Sequence, residues 1–160
     1  MRSREISDEF DSVQRRSSYA GEMQSHGPGG SLGKSILVVE DDPVNGLVLL
    51  DFLEAHGYRV FLSKTGPDGV AAFDKDRPDM VLVDVLLPRK NGFEVCFEIK
   101  RTERGRAIPV VLMSAIYKDV FHAHKYAKTD LGAAGFLVKP FELSDLLVRV
   151  QSLIGPAATA

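Results

Sequence analysis

Four short apolar runs in this chain each end at a polar residue, and these end points constrain the fold more than any other feature. The polar residues that follow the four runs are Glu40 to Asp42, Asp84, Ser114 and Lys139. Open α/β sheets place their ligand sites beyond the carboxyl ends of the strands. If the runs are parallel strands, carboxylates, one hydroxyl and one amine therefore meet at one edge of the sheet.

Amphipathic segments separate the apolar runs and predict helices. Asp42 and Pro43 have the N-cap acid and first-turn proline of a helix start, and Gly57 ends this helix. Further helices are predicted over residues 67–75, 91–101, 117–131 and 143–154. One strand over 58–62 adds to the four runs, the last of which extends over 135–138. Buried strands that alternate with helices predict a five-stranded parallel sheet, an α/β fold with helices on both faces.

The helix over residues 91–101 is expected to present Phe93, Cys96 and Phe97 on one face. Cys96 is the single cysteine of the chain, so it cannot form an internal disulfide. Its helical pattern predicts a buried structural thiol.

Composition divides the chain into three parts. Residues 1–34 carry five acidic and five basic side chains with almost no apolar periodicity, which predicts a disordered tail or linker. Residues 35–155 are expected to fold as one domain, and 156–160 form a short C-terminal tail. The net charge of −2 gives no broad attraction to nucleic acid or anionic lipid. No apolar run approaches the roughly 20 residues of a bilayer span, so a cytoplasmic protein is expected.

Four motifs in order along the chain resemble the receiver domain of two-component response regulators. They are Ile36 to Pro43, Asp84 to Pro88 with Asn91-Gly92, Met113-Ser114-Ala115, and Phe136 to Phe141. The resemblance covers roughly residues 35 to 155. It implies a doubly wound, flavodoxin-like sheet in the order 2-1-3-4-5 and a cis peptide bond between Lys139 and Pro140.

The resemblance also assigns the polar end points their chemistry. Asp84 would accept a phosphoryl group from a histidine kinase or phosphotransfer protein, with Mg²⁺ to neutralise the charge of two approaching anions. The implied magnesium ligands are Asp41, Asp84, Glu40 through a water, and the backbone carbonyl of Leu86. Lys139 would pair with Asp84 and then with a phosphoryl oxygen, while Ser114 would donate its hydroxyl to another. Asp42 is expected to cap a helix rather than bind metal.

The same resemblance predicts a switch and partners. Ser114 and Phe136 would change position on phosphorylation, Phe136 being a half-buried strand aromatic, and remodel the face built from residues 117–154. That face would bind a downstream protein or form a homodimer, with no nucleic acid or membrane involved. The chain would not be an enzyme beyond its own phosphorylation and dephosphorylation. Leu86 and Ile116 have no polar group with which to orient a water, which predicts a long-lived phosphoryl group.

The sequence shows three departures from the common pattern, and two alternative functions also remain open. Glu40 stands where Asp is more frequent, Ser114 stands where Thr is, and the stretch between Ser114 and Phe136 is longer than usual. One alternative is a pseudo-receiver that only binds a partner. The other is a phosphohydrolase with an Asp nucleophile, which would need a second Asp where Leu86 stands.

Overall fold

The computed structural model describes residues 33–115 and 130–157, which form a parallel sheet flanked by helices. The strands are β1 Ser35–Val39, β2 Arg59–Ser63, β3 Met80–Asp84, β4 Val110–Ser114 and β5 Gly135–Val138. The helices are α1 Pro43–Ala55, α2 Gly66–Asp76, α3 Gly92–Arg101, α4 Glu103–Ala107 and α5 Leu143–Ile154. The strand order β2-β1-β3-β4-β5, parallel throughout, confirms the predicted order.

Side-chain caps begin α1, α2 and α3, the helices that follow β1, β2 and β3. The Asp42 carboxylate accepts the N–H groups of Val44 and Asn45 at 2.8 and 3.1 Å, with Pro43 at the first helical position. This confirms the expectation that Asp42 is a cap. Asn91 and Glu94 form a reciprocal capping box at the start of α3. Each cap satisfies amide donors that have no partner within the helix, so it fixes where the chain leaves the sheet.

The core has two layers because alternate residues of each strand face opposite sides of the sheet. Ile36 and Val38 face α1 and α5, whereas Leu37 and Val39 face α2 and α3. Every residue of β1, β3 and β4 is buried. Burial on both faces explains why these strands are apolar without alternation.

Three details differ from the sequence predictions. Helix α3 buries Val95, Cys96 and Ile99, so the buried thiol is confirmed, but Phe97 lies outside this stripe and is 52% exposed. The short helix α4 was not predicted. Phe136 is 1% exposed rather than half-buried, because it packs between the sheet and the α3 side of the core.

Several predictions concern residues outside the described part of the chain. The helix over 117–131 falls almost entirely there, as do Ile116 and nearly all of the tail at 1–34. Within the described residues, no helix has the length and apolar character needed to cross a membrane.

The turn after α1 holds the two ends of the described fold. The Arg59 backbone N–H donates to the Lys34 carbonyl at 3.0 Å, and Arg59 Nε donates to the Gly33 carbonyl at 3.1 Å. The buried Tyr58 hydroxyl donates to the Gly155 carbonyl at 2.8 Å. The segments leading into β1 and out of α5 are therefore anchored side by side, at the amino edge of the sheet.

Candidate functional site

Two buried carboxylates and one ammonium group meet at the carboxyl edge of the sheet. Strands β1 and β3 pair with Val39 opposite Val83, so the next residues, Glu40 and Asp84, are neighbours. Lys139 follows β5 and reaches across the edge. Its Nζ donates to Asp84 Oδ2 at 2.6 Å and to Glu40 Oε2 at 2.8 Å. Glu40 is 1% exposed and Asp84 7% exposed, so this pairing occurs largely away from solvent.

Backbone contacts fix the position of Asp84. The Leu86 N–H donates to Asp84 Oδ1 at 3.0 Å, while Lys139 binds the other carboxylate oxygen. Gly92 lets the start of α3 lie against the same strand end, with its N–H donating to the Val85 carbonyl at 2.8 Å. A Cβ atom at Gly92 would lie 2.3 Å from the Asp84 carbonyl oxygen. The carboxylate is thus held at both oxygens on a rigid strand end.

Glu40, Asp41 and Asp84 form an acidic cluster suited to a hard cation. Each offers one carboxylate oxygen, and these oxygens all lie within 4.8 Å of one another. Asp41 is exposed, so the cluster opens to solvent on its side. Carboxylate oxygens are the protein ligands that Mg²⁺ prefers, and an open side leaves room for the waters it retains. The residues present therefore fit a magnesium site.

Ser114 lies on β4 and Phe136 on β5, the two strands that follow β3 in the sheet. Ser114 ends β4 and is 1% exposed, and its carbonyl oxygen accepts the Lys139 N–H at 3.1 Å. Its register places it one position beyond Met113, the partner of Asp84. On β5, Phe136 pairs with Leu112 of β4, which lies two positions before Ser114. The hydroxyl-bearing residue and the lysine are consequently joined through their backbones.

Burial and mutual contact shift the pKa values of the ionisable groups here. Burial raises the pKa of Glu40 to about 7; the hydrogen bond from Lys139 lowers it, and nearby Asp84 raises it further. Burial alone would lower the pKa of Lys139, but its hydrogen bonds to Asp84 and Glu40 reverse that effect and raise it. Without a bound metal ion, the contacts of the site favour the charged form of Lys139, and Glu40 titrates near pH 7.

The Glu40 pKa predicts a pH-dependent stability in metal-free protein. An acid whose folded-state pKa is raised from 4.5 to about 7 binds its proton more tightly in the folded chain. Its stabilising contribution is complete below pH 4.5 and is lost as pH rises through 7. At about 1.36 kcal/mol per pKa unit, the loss has an upper bound of about 3 kcal/mol. Urea denaturation in EDTA at a series of pH values measures it.

Two variants separate Glu40 from the other acids in this measurement. Glu40→Gln should remove this part of the pH dependence, because the amide does not titrate. Asp51→Asn, a change at an exposed acid of α1, should leave it in place. Identical pH profiles for the wild type and Glu40→Gln would contradict the assignment.

The structure brings together the end points that the sequence predicted to meet. Lys139 lies beside Asp84 as expected, and the Lys139-Pro140 peptide bond is cis, also as expected. The contact between Lys139 and Glu40 was missed, since Glu40 was expected to act only through a water. The burial of β1 and its central place in the strand order were the signals that could have indicated it. Leu86 contributes its N–H to Asp84, and its side chain is 56% exposed.

The sheet is parallel and has this strand order, and its carboxyl edge carries an acid cluster and a lysine. These features define a class of doubly wound proteins with a charged cleft at the strand ends. Residues 36–151 match the family of response regulator receiver domains. The chain belongs to this family, which is a family of signalling domains.

Individual relatives agree with this membership. The DNA-binding dual master transcriptional regulator RpaA of Synechocystis is 36% identical over 120 residues, which cover 74% of this chain and 48% of RpaA. Protein PilH of Pseudomonas aeruginosa is 33% identical over 119 residues, covering 74% of this chain and 96% of PilH. The chain thus spans about half the length of several curated relatives and almost all of PilH.

A solved structure shows the same fold. The receiver domain of the sensor histidine kinase PA1611 from Pseudomonas aeruginosa PAO1 has a TM-score of 0.68 and 33% identity. The comparison covers 78% of this chain and 99% of that domain, and that crystal structure has a magnesium ion coordinated in the active site cleft.

Proposed function

We propose that this chain accepts a phosphoryl group on Asp84 and converts it into a changed binding surface. The observation that carries the proposal is the contact of 2.6 Å between Lys139 Nζ and Asp84 Oδ2. It places a cation on the oxygen of a nearly buried carboxylate, beside the acids Glu40 and Asp41. Family membership supplies the reaction class, phosphotransfer from a histidine kinase or phosphotransfer protein.

The chemistry follows from the positions of the side chains. A carboxylate oxygen of Asp84 attacks the phosphorus of a phosphohistidine, forming a phosphorus–oxygen bond as the phosphorus–nitrogen bond breaks. The departing imidazole nitrogen keeps the electron pair. Lys139 then moves its ammonium to a phosphoryl oxygen, and the Ser114 hydroxyl donates to another. These contacts stabilise charge on the transferring group at a site that is largely shielded from water.

Magnesium is the cofactor that the acid cluster fits. Glu40, Asp41 and Asp84 would hold the ion, with Leu86 adding its backbone carbonyl. When bound, the ion neutralises charge that would otherwise oppose the approach of a phosphoryl group to a carboxylate. The magnesium ion in the PA1611 receiver domain supports this assignment.

The output is a change of surface on the side of β5 and α5. When Ser114 moves toward a bound phosphoryl group, it vacates space next to Phe136, which then repacks. Phosphorylation shifts the population between two such arrangements rather than building a new fold. A downstream protein, or a second copy of the chain, would recognise the face at 117–154. No reaction other than the chain's own phosphorylation and dephosphorylation is proposed.

Incubation with acetyl phosphate and magnesium, followed by mass spectrometry, tests the proposal. A single phosphoryl group should appear on the peptide that contains Asp84, and EDTA should prevent its addition. A protein that stays unmodified would support the alternative of a pseudo-receiver that acts only by binding. Continuous release of phosphate from many small phosphate esters would support the phosphohydrolase alternative.

Leu86 predicts a slow loss of the phosphoryl group. Its side chain is 56% exposed and apolar, so it offers no polar group that could hold an attacking water in line with phosphorus. Leu86→Asn should speed dephosphorylation about three- to tenfold, the worth of one hydrogen bond to the attacking water. Decay of the phosphorylated peptide, measured by mass spectrometry, gives the rate. The matched control is Leu86→Met, which should decay at the wild-type rate, and equal rates for all three proteins would contradict the prediction.

A further inference from the structure

An exposed aromatic groove lies along the outer side of α3, outside the cluster of Glu40, Asp84 and Lys139. The Phe97 side chain is 52% exposed, whereas Val95, Cys96 and Ile99 of the same helix are buried. The groove has a volume of about 360 Å³. Residues along it include Lys90, Phe93, Glu94, Phe97, Arg101 and Leu131. A large apolar group exposed in a concave setting is typical of a binding surface.

The charges of this groove differ between its two ends. At the α3 carboxyl end, the Arg101 guanidinium lies 5.5 Å from the centre of the Phe97 ring. In the described part of the chain, no carboxylate pairs with Arg101. At the other end, Glu94 caps the helix, and Lys90 is paired with Glu98 and contributes little net charge. A matching ligand needs an apolar group flanked by acids on the Arg101 side and by a base on the Glu94 side.

The amino-terminal sequence of this chain has that arrangement of groups. Residues 5–11 contain four acids and no base, with Phe10 among them, and Arg15-Arg16 follows shortly after. Ile6, Phe10 and Val13 are spaced at i, i+4 and i+7, the spacing of anchors that dock into grooves as one apolar face. The acids of the tail would therefore face Arg101, and the bases that follow them would face Glu94.

The length of the connecting chain permits this contact. Residue 16 lies 17 positions before Gly33, a span of up to about 58 Å when the chain is extended. A folded domain of this size has a diameter of roughly 35 Å. Gly33 is anchored at the amino edge of the sheet, the edge toward which α3 runs and at which Arg101 lies. The tail can therefore reach either end of the groove.

We propose that residues 5–16 of this chain dock on the outer groove of α3, with Phe10 beside Phe97 and the acids of the segment beside Arg101. The contact is intramolecular. It gives the receiver a surface that is occupied by its own tail and that meets the 117–154 face at Leu131.

Photo-crosslinking in the full-length chain tests this docking. Benzoylphenylalanine replaces Phe10, and after irradiation the crosslinked peptides are identified by mass spectrometry. The expected result is one dominant crosslink to the α3 peptide within a single chain, at a yield independent of protein concentration. The matched control carries the photoprobe at Tyr19, a tail aromatic three residues beyond the docked segment, and should give a lower yield on the α3 peptide than the probe at Phe10. Phosphorylation with acetyl phosphate is measured on the same samples and should not be affected.

Charge exchange identifies the contact that orients the tail. Arg101→Glu should lower the crosslink yield about two- to fivefold, the worth of an exposed ion pair, and adding Asp8→Lys and Asp11→Lys should restore it. Circular dichroism verifies that each variant is folded. Crosslinks spread over the surface, crosslinks only between chains, or a yield unaffected by Arg101→Glu would each overturn the proposal.

Discussion

Asp84→Asn is expected to abolish phosphorylation by acetyl phosphate, because the amide lacks the anionic oxygen that attacks phosphorus. The substitution keeps the shape of the side chain. It also keeps an oxygen that can accept the Leu86 N–H, which in the structure lies 3.0 Å from Asp84 Oδ1. Magnesium binding should also weaken, because one of three clustered carboxylates is lost. Mass spectrometry of the Asp84 peptide measures the first effect, and titration with magnesium measures the second.

A neighbouring acid provides the control for this substitution. Asp42→Asn changes an exposed acid that only caps α1, and Asn caps a helix as well as Asp does. Its phosphorylation should match that of the wild type. Metal-free stability need not fall in Asp84→Asn, since removing one carboxylate relieves repulsion within the cluster. Uptake of phosphoryl by Asp84→Asn at the wild-type rate and on the same peptide would falsify the assignment of the nucleophile.

Lys139→Met should cause the largest loss of stability. It removes the ammonium that lies 2.6 Å from Asp84 and 2.8 Å from Glu40, and leaves two nearly buried carboxylates without their cation. Breaking a buried ion pair by removing one partner costs about 3–5 kcal/mol. The loss should be greatest at pH 8 without magnesium and smaller at pH 5, where Glu40 can bind a proton. Urea denaturation at both pH values measures it.

Two other lysine substitutions control for general effects. Lys90→Met breaks the ion pair with Glu98 at the surface, where a pair contributes about 0–1 kcal/mol. Lys139→Arg keeps the positive charge and should lose much less stability than Lys139→Met. If Lys90→Met and Lys139→Met cost the same, the buried position of Lys139 would have no special energetic role.

Periodicity and caps were sufficient to predict most of the fold. Runs such as those of β1 and β3 are apolar throughout because both faces of the sheet are covered, and a sequence shows this directly. Asp42 marks a helix start through local hydrogen bonds, which depend on few neighbours. The meeting of Asp84 and Lys139 followed from the rule that places sites at the carboxyl ends of parallel strands.

The features that were missed depend on contacts between distant parts of the chain. Phe97 was assigned to the buried side of α3 from spacing alone, but Val95, Cys96 and Ile99 fill that side. Helix α4 has only five residues, too few to give a periodic pattern. The contact of Lys139 with Glu40 joins residues that are 99 positions apart, and its distance depends on side-chain conformations across three strands.

Tyr58 and Arg59 anchor both ends of the described fold next to each other, which makes the fold a self-contained unit. The carbonyls of Gly33 and Gly155 are bound by adjacent residues, so the two ends can be joined by a short linker. A circularly permuted chain opened at an exposed loop should therefore keep the receiver fold. Both attachment points lie one strand length, about 16 Å, from the edge that carries Asp84. Residues 33 and 155 therefore leave the fold on the side opposite the edge that carries the proposed phosphorylation site.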